Sequence, residues 1–289
     1  MTKESKVKKY LSLVKFSHTI FAMPFAVTGF VLGLKNSSEP VHWSLFLLVV
    51  LAMIFARNAA MAFNRWADRD LDKLNPRTAL REIPAGIVSP GSALFFVVLN
   101  SLLFIATTFF INQLTFFLSP IALLVILGYS LTKKFTSLCH FILGIGLSLA
   151  PIGAYLAVTG AFDLLPIFYS ILVLFWVSGF DLLYALQDEE FDQSMNLKSM
   201  VVNLGKSGAI KLSVITHTVS IIMIVLIGFK GDFGLWYWLG SFIFAGLLAY
   251  QHMIIKPNDI SRINLAFATT NGIASIVFAI FNITEILIR

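Results

Sequence analysis

Long apolar stretches separated by short polar segments run along the whole chain. A hydrocarbon core of about 30 Å takes about 20 apolar residues to cross as an α-helix. About nine stretches reach that length, at residues 16–34, 41–63, 91–111, 114–131, 138–159, 164–186, 209–229, 235–254 and 263–288. The pattern predicts an all-α integral membrane protein, with residues 1–289 forming one domain of about nine transmembrane helices.

The composition excludes a soluble protein. Hydrophobic residues make up 58% of the 289 residues and charged residues 12%, against about 25% charged residues in a typical soluble domain. Such a chain would expose more apolar surface than soluble proteins tolerate, whereas lipid accommodates it. Cys139 is the single cysteine, which excludes an intrachain disulfide and a cysteine-based metal site.

The basic residues are distributed unevenly between the two predicted sides of the membrane. Most of the 21 Lys and Arg residues lie in the basic segment 1–15 and in the loops after the second, fourth, sixth and eighth predicted helices. The positive-inside rule places this side in the cytoplasm, and an odd number of crossings places the carboxyl terminus opposite. The pI of about 9.4 therefore reflects topology and gives nucleic acid binding no support. The lack of a cleavable or organellar presequence favours a bacterial inner membrane.

Most of the 15 acidic residues lie in two of the predicted cytoplasmic segments. At the end of the second predicted helix, Asn64, Asp68 and Asp72 recur every four residues. Positions four apart share one helix face, drifting by about 40° per step. The spacing predicts a stripe of oxygen ligands, and Asp70 falls nearly opposite to it.

A second acidic stripe follows the sixth predicted helix. Asp181, Tyr184, Asp188 and Asp192 share a face if that helix continues past the membrane edge. Carboxylates one turn apart repel by about 2–3 kcal/mol at an effective dielectric constant of 20, which favours a bound cation. Mg²⁺ commonly binds one or two carboxylates together with substrate phosphates. The two stripes therefore suit a metal-bound diphosphate, and the alternative is a pair of solvated acidic helix ends.

Three further segments accompany the stripes. The segment 75–86 reads Asn-Pro-Arg-Thr-Ala-Leu-Arg-Glu-Ile-Pro-Ala-Gly, 129–136 reads Tyr-Ser-Leu-Thr-Lys-Lys-Phe-Thr, and 196–199 reads Asn-Leu-Lys-Ser. In this order, and within about nine predicted helices, the stripes and segments resemble the UbiA family of intramembrane aromatic prenyltransferases over nearly the whole chain.

The resemblance implies a helical bundle around a central cavity, in which Mg²⁺ holds a polyprenyl diphosphate near the cytoplasmic face. Mg²⁺ and basic side chains would stabilise the charge on the leaving diphosphate, and the cavity would exclude water from the allylic cation. A small aromatic acid would capture that cation, as in the biosynthesis of the respiratory quinones ubiquinone and menaquinone. The implied surroundings are the lipid bilayer, and no obligate protein partner is inferred.

The resemblance also implies roles for individual residues. The magnesium and diphosphate set would be Asn64, Asp68, Asp72, Asp188 and Asp192. Asp181 and Tyr184 would extend this set, or Asp181 would assist deprotonation of the acceptor. The candidate diphosphate clamps are Arg77, Arg81, Lys133 and Lys198. Each of these basic residues is alternatively an inner-loop topology charge.

The acceptor depends on details that vary within the family. Members that prenylate 4-hydroxybenzoate more often resemble an Asn-Arg-Pro-Leu-Pro sequence where this chain has Leu80-Arg-Glu-Ile-Pro84, and Ser130 stands where a proline is common. The form Glu82-Ile-Pro-Ala-Gly86 and the opening 15–19 look more like the subgroup tied to menaquinone made from a dihydroxynaphthoate. Other acceptors within the family are haem, chlorophyllide and a glycerol lipid.

Arg57 lies two turns before Asn64 on the same face. An arginine within the membrane costs at least about 2.5 kcal/mol and needs a partner. The carboxylate of the acceptor is one candidate partner, and a structural ion pair is the alternative. His18 and His140 are weaker substrate candidates, and several other polar residues are predicted to form hydrogen bonds between helices: Asn58, Asn100, His217, His252, Asn271 and Asn282.

The main competing function is a polytopic secondary transporter. Transporters place their ionisable residues near the bilayer midplane on broken helices, whereas these carboxylates cluster at cytoplasmic helix ends. A purely structural membrane protein would have no use for the clustered acids. The acidic stripes therefore favour an enzyme.

Overall fold

The computed structural model of the protein describes residues 6–14, 21–37, 40 and 42–289. Apart from a bridge between Lys256 and Asp259, the regular structure of these residues is helical. The α-helices are α1 (Lys6–Leu13), α2 (Met23–Asn36), α3 (Trp43–Ala67), α4 (Arg69–Leu74), α5 (Pro90–Phe109), α6 (Gln113–Thr132), α7 (Cys139–Thr159), α8 (Leu164–Ala185), α9 (Glu189–Ser194), α10 (Met200–Lys230), α11 (Leu235–Ile254) and α12 (Asn271–Ile288). A 3₁₀ turn spans Leu186–Asp188, and a π-helical turn spans Leu265–Thr270.

Within the described residues, seven helical segments are long and apolar enough to cross a membrane. They are Trp43–Ala67, Pro90–Phe109, Gln113–Thr132, Cys139–Thr159, Leu164–Ser194, Met200–Lys230 and Leu265–Ile288. The described part of α2 has 14 residues, and the 20-residue α11 includes two tryptophans, a glutamine and a histidine that lower its hydropathy. The all-α membrane fold is confirmed, whereas the expected count of nine transmembrane helices is not.

Local sequence signals set several helix boundaries. Ser89 caps α5 by accepting a hydrogen bond from the backbone N–H of Ser92, and Pro90 occupies the first turn. Asp163 caps α8 through the N–H of Leu165. Gly205, with φ of 67°, breaks the helical geometry inside α10. An L-residue with a side chain rarely adopts that conformation, which explains the glycine at this position.

The chain forms two compact units, of which the first comprises Met1–Thr19 and Leu47–Leu131. Its described core joins Leu13 of α1 to Ala62 of α3, Ile83 and Val88 of the following loop, and Ala93 of α5. The side-chain amide of Asn58 donates to Oδ1 of Asn100 at 3.3 Å. This contact confirms the predicted hydrogen bond between their helices.

The second unit comprises Ile20–Phe46 and Thr132–Arg289. Within it, α8 packs against both α7 and α10, α2 packs against α7, and α11 packs against α12. Gly29 lies so close to α7 that a Cβ atom there would overlap the backbone of Pro151. Small residues permit such close packing of helices in membranes. The largest fully buried side chain of this core is Trp176.

Buried polar side chains of the second unit are paired between helices. The Tyr169 hydroxyl and the Asn282 amide are hydrogen-bonded at 3.0 and 2.7 Å. Nδ1 of His217 and Nε2 of His252 lie 2.9 Å apart. The predicted structural role of these residues is therefore confirmed.

Candidate functional site

The first acidic motif crosses a break between two helices. α3 ends at Ala67, Asp68 has φ of −94° and ψ of 0°, and α4 begins at the next residue. The backbone N–H of Asp68 still donates to the Asn64 carbonyl at 3.0 Å, and that of Asp72 donates to the Asp68 carbonyl at 2.7 Å. The Asn64 side-chain amide also donates to Oδ2 of Asp68 at 3.0 Å. The four-residue spacing thus survives the break and brings Asn64 and Asp68 together.

Asp72 is a buried carboxylate with an asymmetric environment. Its Oδ1 forms an ion pair with Nη1 of Arg81 at 2.6 Å. Its Oδ2 is buried and has no hydrogen-bond partner among the described residues. The Thr78 hydroxyl donates to the Asp72 carbonyl at 3.1 Å, which folds the arginine segment back onto the motif. Asp70 points away and is exposed, as the spacing predicts.

The second motif departs from the expected continuous helix. α8 ends at Ala185, the 3₁₀ turn Leu186–Asp188 follows, and α9 begins at Glu189. The second motif is therefore not one continuous α-helix, because the 3₁₀ turn lies between Tyr184 and the segment that carries Asp192. Acidic side chains are favoured in the first turn of a helix and disfavoured in the last. The cluster 188–190 therefore starts a new helix instead of extending the old one.

Asp192 has nearly the same environment as Asp72. It is 1% exposed, and its Oδ1 lies 2.7 Å from Nζ of Lys133. Its Oδ2 is buried and likewise lacks a hydrogen-bond partner in the part of the chain that the structure describes. The backbone N–H of Lys198 donates to the Lys133 carbonyl at 2.8 Å, so the paired-basic segment adjoins the second motif.

Asp181 and Tyr184 have separate partners near the end of α8. Oδ2 of Asp181 lies 2.6 Å from Nδ1 of His140. His140 is buried, and its Nε2 has no hydrogen-bond partner within the described ranges. The Tyr184 ring lies against the Phe267 ring with a centroid distance of 4.1 Å. Sequence reasoning gave His140 little weight, since nothing in the spacing links positions 140 and 181.

The remaining basic candidates differ in their surroundings. Arg57 is half-buried and donates from Nη1 to the Val14 carbonyl at 3.0 Å. Arg77 and Lys198 are exposed, so their positions suit contact with a soluble or headgroup anion. His18 and the opening 15–19 lie outside the described residues.

Arg65 directly follows the second predicted helix, 41–63, so the sequence places it among the cytoplasmic loop charges, whereas the structure places it inside α3. It is 5% exposed, and its Nε and Nη1 donate no hydrogen bond to any described residue. Its position directly after Asn64 is the signal that ties it to the first motif.

The carboxylates fit Mg²⁺ in a specific way. Among the described residues, no group of three or more His, Cys, Asp or Glu side chains is arranged to hold a metal ion. Each motif nevertheless presents one buried carboxylate oxygen to which no described residue donates a hydrogen bond, on Asp72 and on Asp192. Mg²⁺ often uses one or two carboxylates and completes its coordination with water and substrate phosphate. Each of these two oxygens is therefore, taken singly, a suitable ligand for Mg²⁺ that arrives with a phosphorylated substrate.

Solved structures of similar fold are membrane prenyltransferase homologues. The apo structure of a UbiA homolog from Aeropyrum pernix K1 matches with a TM-score of 0.80 and 29% identity, covering 94% of this chain and 97% of that one. A UbiA homolog from Archaeoglobus fulgidus bound to GPP and Mg²⁺ matches with a TM-score of 0.75 and 23% identity, covering 96% and 99%. At the latter identity the likeness concerns the fold.

Sequence relatives carry a more specific name. The 4-hydroxybenzoate octaprenyltransferase of Aliivibrio fischeri strain MJ11 is 29% identical over 239 residues, which are 82% of this chain and 82% of the relative. The enzyme of the same name from Nitrosospira multiformis is 30% identical over 248 residues, which are 86% and 85%. The sequence model of the UbiA prenyltransferase family matches residues 22–278. This chain therefore belongs to the UbiA prenyltransferase family.

Proposed function

We propose that this prenyltransferase moves a polyprenyl group from a polyprenyl diphosphate to the ring of a small aromatic acid, in a bacterial inner membrane and on the route to a respiratory quinone. The observation that carries the proposal is the matched environment of Asp72 and Asp192. Each is buried, pairs with a basic side chain through one oxygen and leaves the other oxygen without a hydrogen-bond partner among the described residues. Relatives named 4-hydroxybenzoate octaprenyltransferase and a fold neighbour bound to GPP and Mg²⁺ support the same chemistry.

The two motifs would hold Mg²⁺, and the basic side chains beside them would bind the diphosphate. The proposed set is Asn64, Asp68, Asp72, Asp188 and Asp192. When bound, Mg²⁺ neutralises the charge that grows on the leaving diphosphate. Arg81 and Lys133 hold the carboxylates until substrate arrives and then share their charge with the diphosphate, and the exposed Arg77 and Lys198 guide its approach.

The reaction balances without an oxidant or reductant. The bond between C1 of the prenyl group and the diphosphate oxygen breaks, and its electron pair leaves with the diphosphate. A ring carbon of the acceptor forms the new bond to C1, and the ring loses the proton from that carbon. Asp181, oriented by His140 at 2.6 Å, is the proposed acceptor of this proton. Apolar surroundings keep water from trapping the allylic cation.

Two observations bear on the acceptor in different directions. The relatives' names favour 4-hydroxybenzoate, whereas the form of segment 82–86 favours a dihydroxynaphthoate. Both acceptors carry a carboxylate, and we propose that Arg57 binds it. Arg57 lies in α3, two turns before Asn64 of the first motif, and its Nη1 donates to the Val14 carbonyl at 3.0 Å.

The experiment uses purified protein in detergent with Mg²⁺ and a labelled polyprenyl diphosphate, offering 4-hydroxybenzoate and 1,4-dihydroxy-6-naphthoate in parallel. Asp72→Ala and Asp192→Ala are expected to lower turnover by at least about a hundredfold, the effect of losing one charge-stabilising group. The matched controls are Asp70→Ala and Glu190→Ala, since both side chains are exposed in the same segments. Product with one acceptor identifies the quinone route. If the aspartate variants and their controls turn over alike, the proposal is wrong.

A further inference from the structure

A π-helical turn, Leu265–Thr270, precedes α12. A π turn has poorer backbone hydrogen bonding than an α-helix and is frequently found at functional sites. Here, side chains bind three of its carbonyl groups. The Thr270 hydroxyl donates to the Leu265 carbonyl at 3.1 Å, and Nδ2 of Asn271 donates to the carbonyls of Ala266 and Phe267 at 3.0 and 3.1 Å. The turn is therefore held by its last residue, Thr270, and by Asn271, the first residue of α12.

Asn271 also ties this turn to two other helices. Its Oδ1 accepts hydrogen bonds from Nε1 of Trp176 in α8 at 3.0 Å and from Nε2 of Gln251 in α11 at 2.7 Å. All three side chains are fully buried. An asparagine amide has two donor hydrogens and two acceptor lone pairs, and each of the four is used. Another side chain of this size cannot reproduce that set of contacts.

The turn presents Phe267 to the helix that leads into the second motif. The Phe267 ring lies 4.1 Å from the Tyr184 ring and 5.5 Å from the Phe180 ring, measured between centroids. Trp176, Phe180 and Tyr184 follow one another at intervals of four residues along α8, and the motif residue Asp188 comes four residues later. Phe180 is buried, whereas Phe267 and Tyr184 are partly buried, and the Phe267 ring also lies 5.4 Å from the Phe21 ring. Two aromatic rings that each keep part of their surface accessible thus lie just before the acidic cluster.

We propose that Phe267 and Tyr184 bind the first isoprene unit of the prenyl diphosphate and that Asn271 is the positioning residue that holds Phe267 there. The inference rests on the proposed function, because it takes the diphosphate to be bound by the adjoining second motif. An allylic group is apolar in the ground state and becomes cationic as the diphosphate leaves. Aromatic faces suit both states, through apolar contact first and cation–π attraction afterwards.

A purely structural role for Asn271 is the competing explanation, and α12 contains a control for it. Asn282 is equally buried and hydrogen-bonded, to Tyr169 at 3.0 and 2.7 Å, and it lies about three turns from the π-helical turn. Asn271→Leu and Asn282→Leu both remove a buried hydrogen-bonding amide. Both variants are expected to lower the thermal unfolding temperature.

The test measures binding by calorimetry in detergent with Mg²⁺ and two probes. Inorganic pyrophosphate lacks the isoprene unit, and geranyl S-thiolodiphosphate carries it but does not react. Asn271→Leu is expected to lower the affinity for the geranyl probe about tenfold, which corresponds to about 1.4 kcal/mol for one displaced aromatic contact. Its affinity for pyrophosphate is expected to stay within about twofold of the wild-type value. Phe267→Ala is expected to do the same, and Asn282→Leu to change neither affinity.

Other outcomes separate this inference from the function on which it rests. Equal affinities of the Asn271→Leu and Asn282→Leu proteins for the geranyl probe overturn the inference, as does unchanged affinity of Phe267→Ala. The Phe267 variant decides the matter if the Asn271 variant does not fold, because Phe267 is only half-buried. Asp188→Ala is expected to abolish binding of both probes. If the Asp188→Ala protein still binds both probes, the proposed function is wrong. If only the inference about Phe267 is wrong, binding of both probes still depends on Asp188.

Discussion

Asp72 and Asp192 each combine an ion pair on one oxygen with a second buried oxygen that no described residue binds. A buried carboxylate normally satisfies both oxygens, because an unsatisfied one costs free energy of folding. The same unusual arrangement occurs in both motifs, at the last aspartate of each. This pattern is expected of positions that keep a coordination site for a ligand at some cost in stability.

Removal of the Lys133 ammonium would leave Asp192 buried without its counter-charge. We expect Lys133→Ala to lower the free energy of unfolding by up to about 3 kcal/mol. This value is the lower end of the range for removing one partner of a buried ion pair, and it applies because the Lys133 side chain is 34% exposed. Thermal unfolding in detergent measures this effect. Lys134→Ala is the control, because Lys134 is exposed. Equal unfolding temperatures for the two variants would contradict the prediction.

The double variant Lys133→Met, Asp192→Leu separates stability from function. It removes both charges of the pair, so most of the lost stability should return. Turnover should not return, because Asp192 is a proposed magnesium ligand. A double variant that regains activity together with stability would show that the carboxylate has only a structural role.

His140 is expected to act on turnover through Asp181. Without the contact of 2.6 Å between Nδ1 and Oδ2, the carboxylate loses the orientation needed to accept the ring proton. We expect His140→Leu to lower kcat by about tenfold or more with little change in KM for the prenyl diphosphate. Ser148→Ala in the same helix is the control, since the Ser148 hydroxyl donates to the Ile145 carbonyl within α7. An increase in KM alone would assign His140 to substrate binding instead.

The sequence predicts which residues carry charge in the motifs, but not how they pair. The four-residue spacing identifies Asn64, Asp68 and Asp72, and the backbone hydrogen bonds preserve that spacing even where the helix breaks. The contact between Lys133 and Asp192 depends on two segments 59 positions apart that meet through the backbone of Lys198. No periodic pattern encodes such a meeting. For the same reason, the sequence does not predict the contact between His140 and Asp181.

At the scale of helices, hydropathy predicts where a helix is present better than it predicts whether that helix is continuous. Apolar stretches predicted α5 to α8 closely, because hydrocarbon thickness fixes their minimum length. The 3₁₀ turn at Leu186–Asp188 and the break at Gly205 were not predicted. Both depend on local electrostatics or backbone geometry, to which a hydropathy window is insensitive. The π-helical turn before α12 is stabilised by contacts of Asn271 with α8 and α11, so only the tertiary structure reveals it.

A substitution at Gly29 tests the close packing of α2 against α7. A Cβ atom there would overlap the Pro151 backbone, which cannot rotate away as a side chain does. We expect Gly29→Ala to destabilise the protein by about 1–3 kcal/mol through overpacking. Gly246→Ala is the matched helix-interior control, because its Cβ would meet no heavy atom within 4 Å, and it should be neutral or stabilising by up to about 1 kcal/mol. Thermal unfolding of both variants in detergent gives the comparison, and a Gly29→Ala protein as stable as wild type would contradict it.

At the scale of the whole molecule, the membrane fold follows from composition, but its orientation rests on charge alone. The helices that surround the second motif alternate direction if each crosses the bilayer. The loop that carries Lys133 and Lys134 and the loop that carries Lys256 and Arg262 then lie on the same side as that motif. The loops 160–163 and 231–234 lie on the other side and contain no Lys or Arg. The positive-inside rule therefore predicts that the second motif lies on the cytoplasmic side of the membrane.

Cysteine labelling tests this orientation directly, because Cys139 is the single native cysteine. In a Cys139→Ser background, exposed loop positions are changed one at a time to cysteine: Lys134, Ala161, Asp232 and Asn258. A membrane-impermeant maleimide applied to intact spheroplasts should label the variants at Ala161 and Asp232, and should label those at Lys134 and Asn258 only after lysis. The reverse pattern would place the motif outside the cytoplasm. That result would separate the acidic residues from the cytoplasmic pool of Mg²⁺ and polyprenyl diphosphate that the proposed reaction requires.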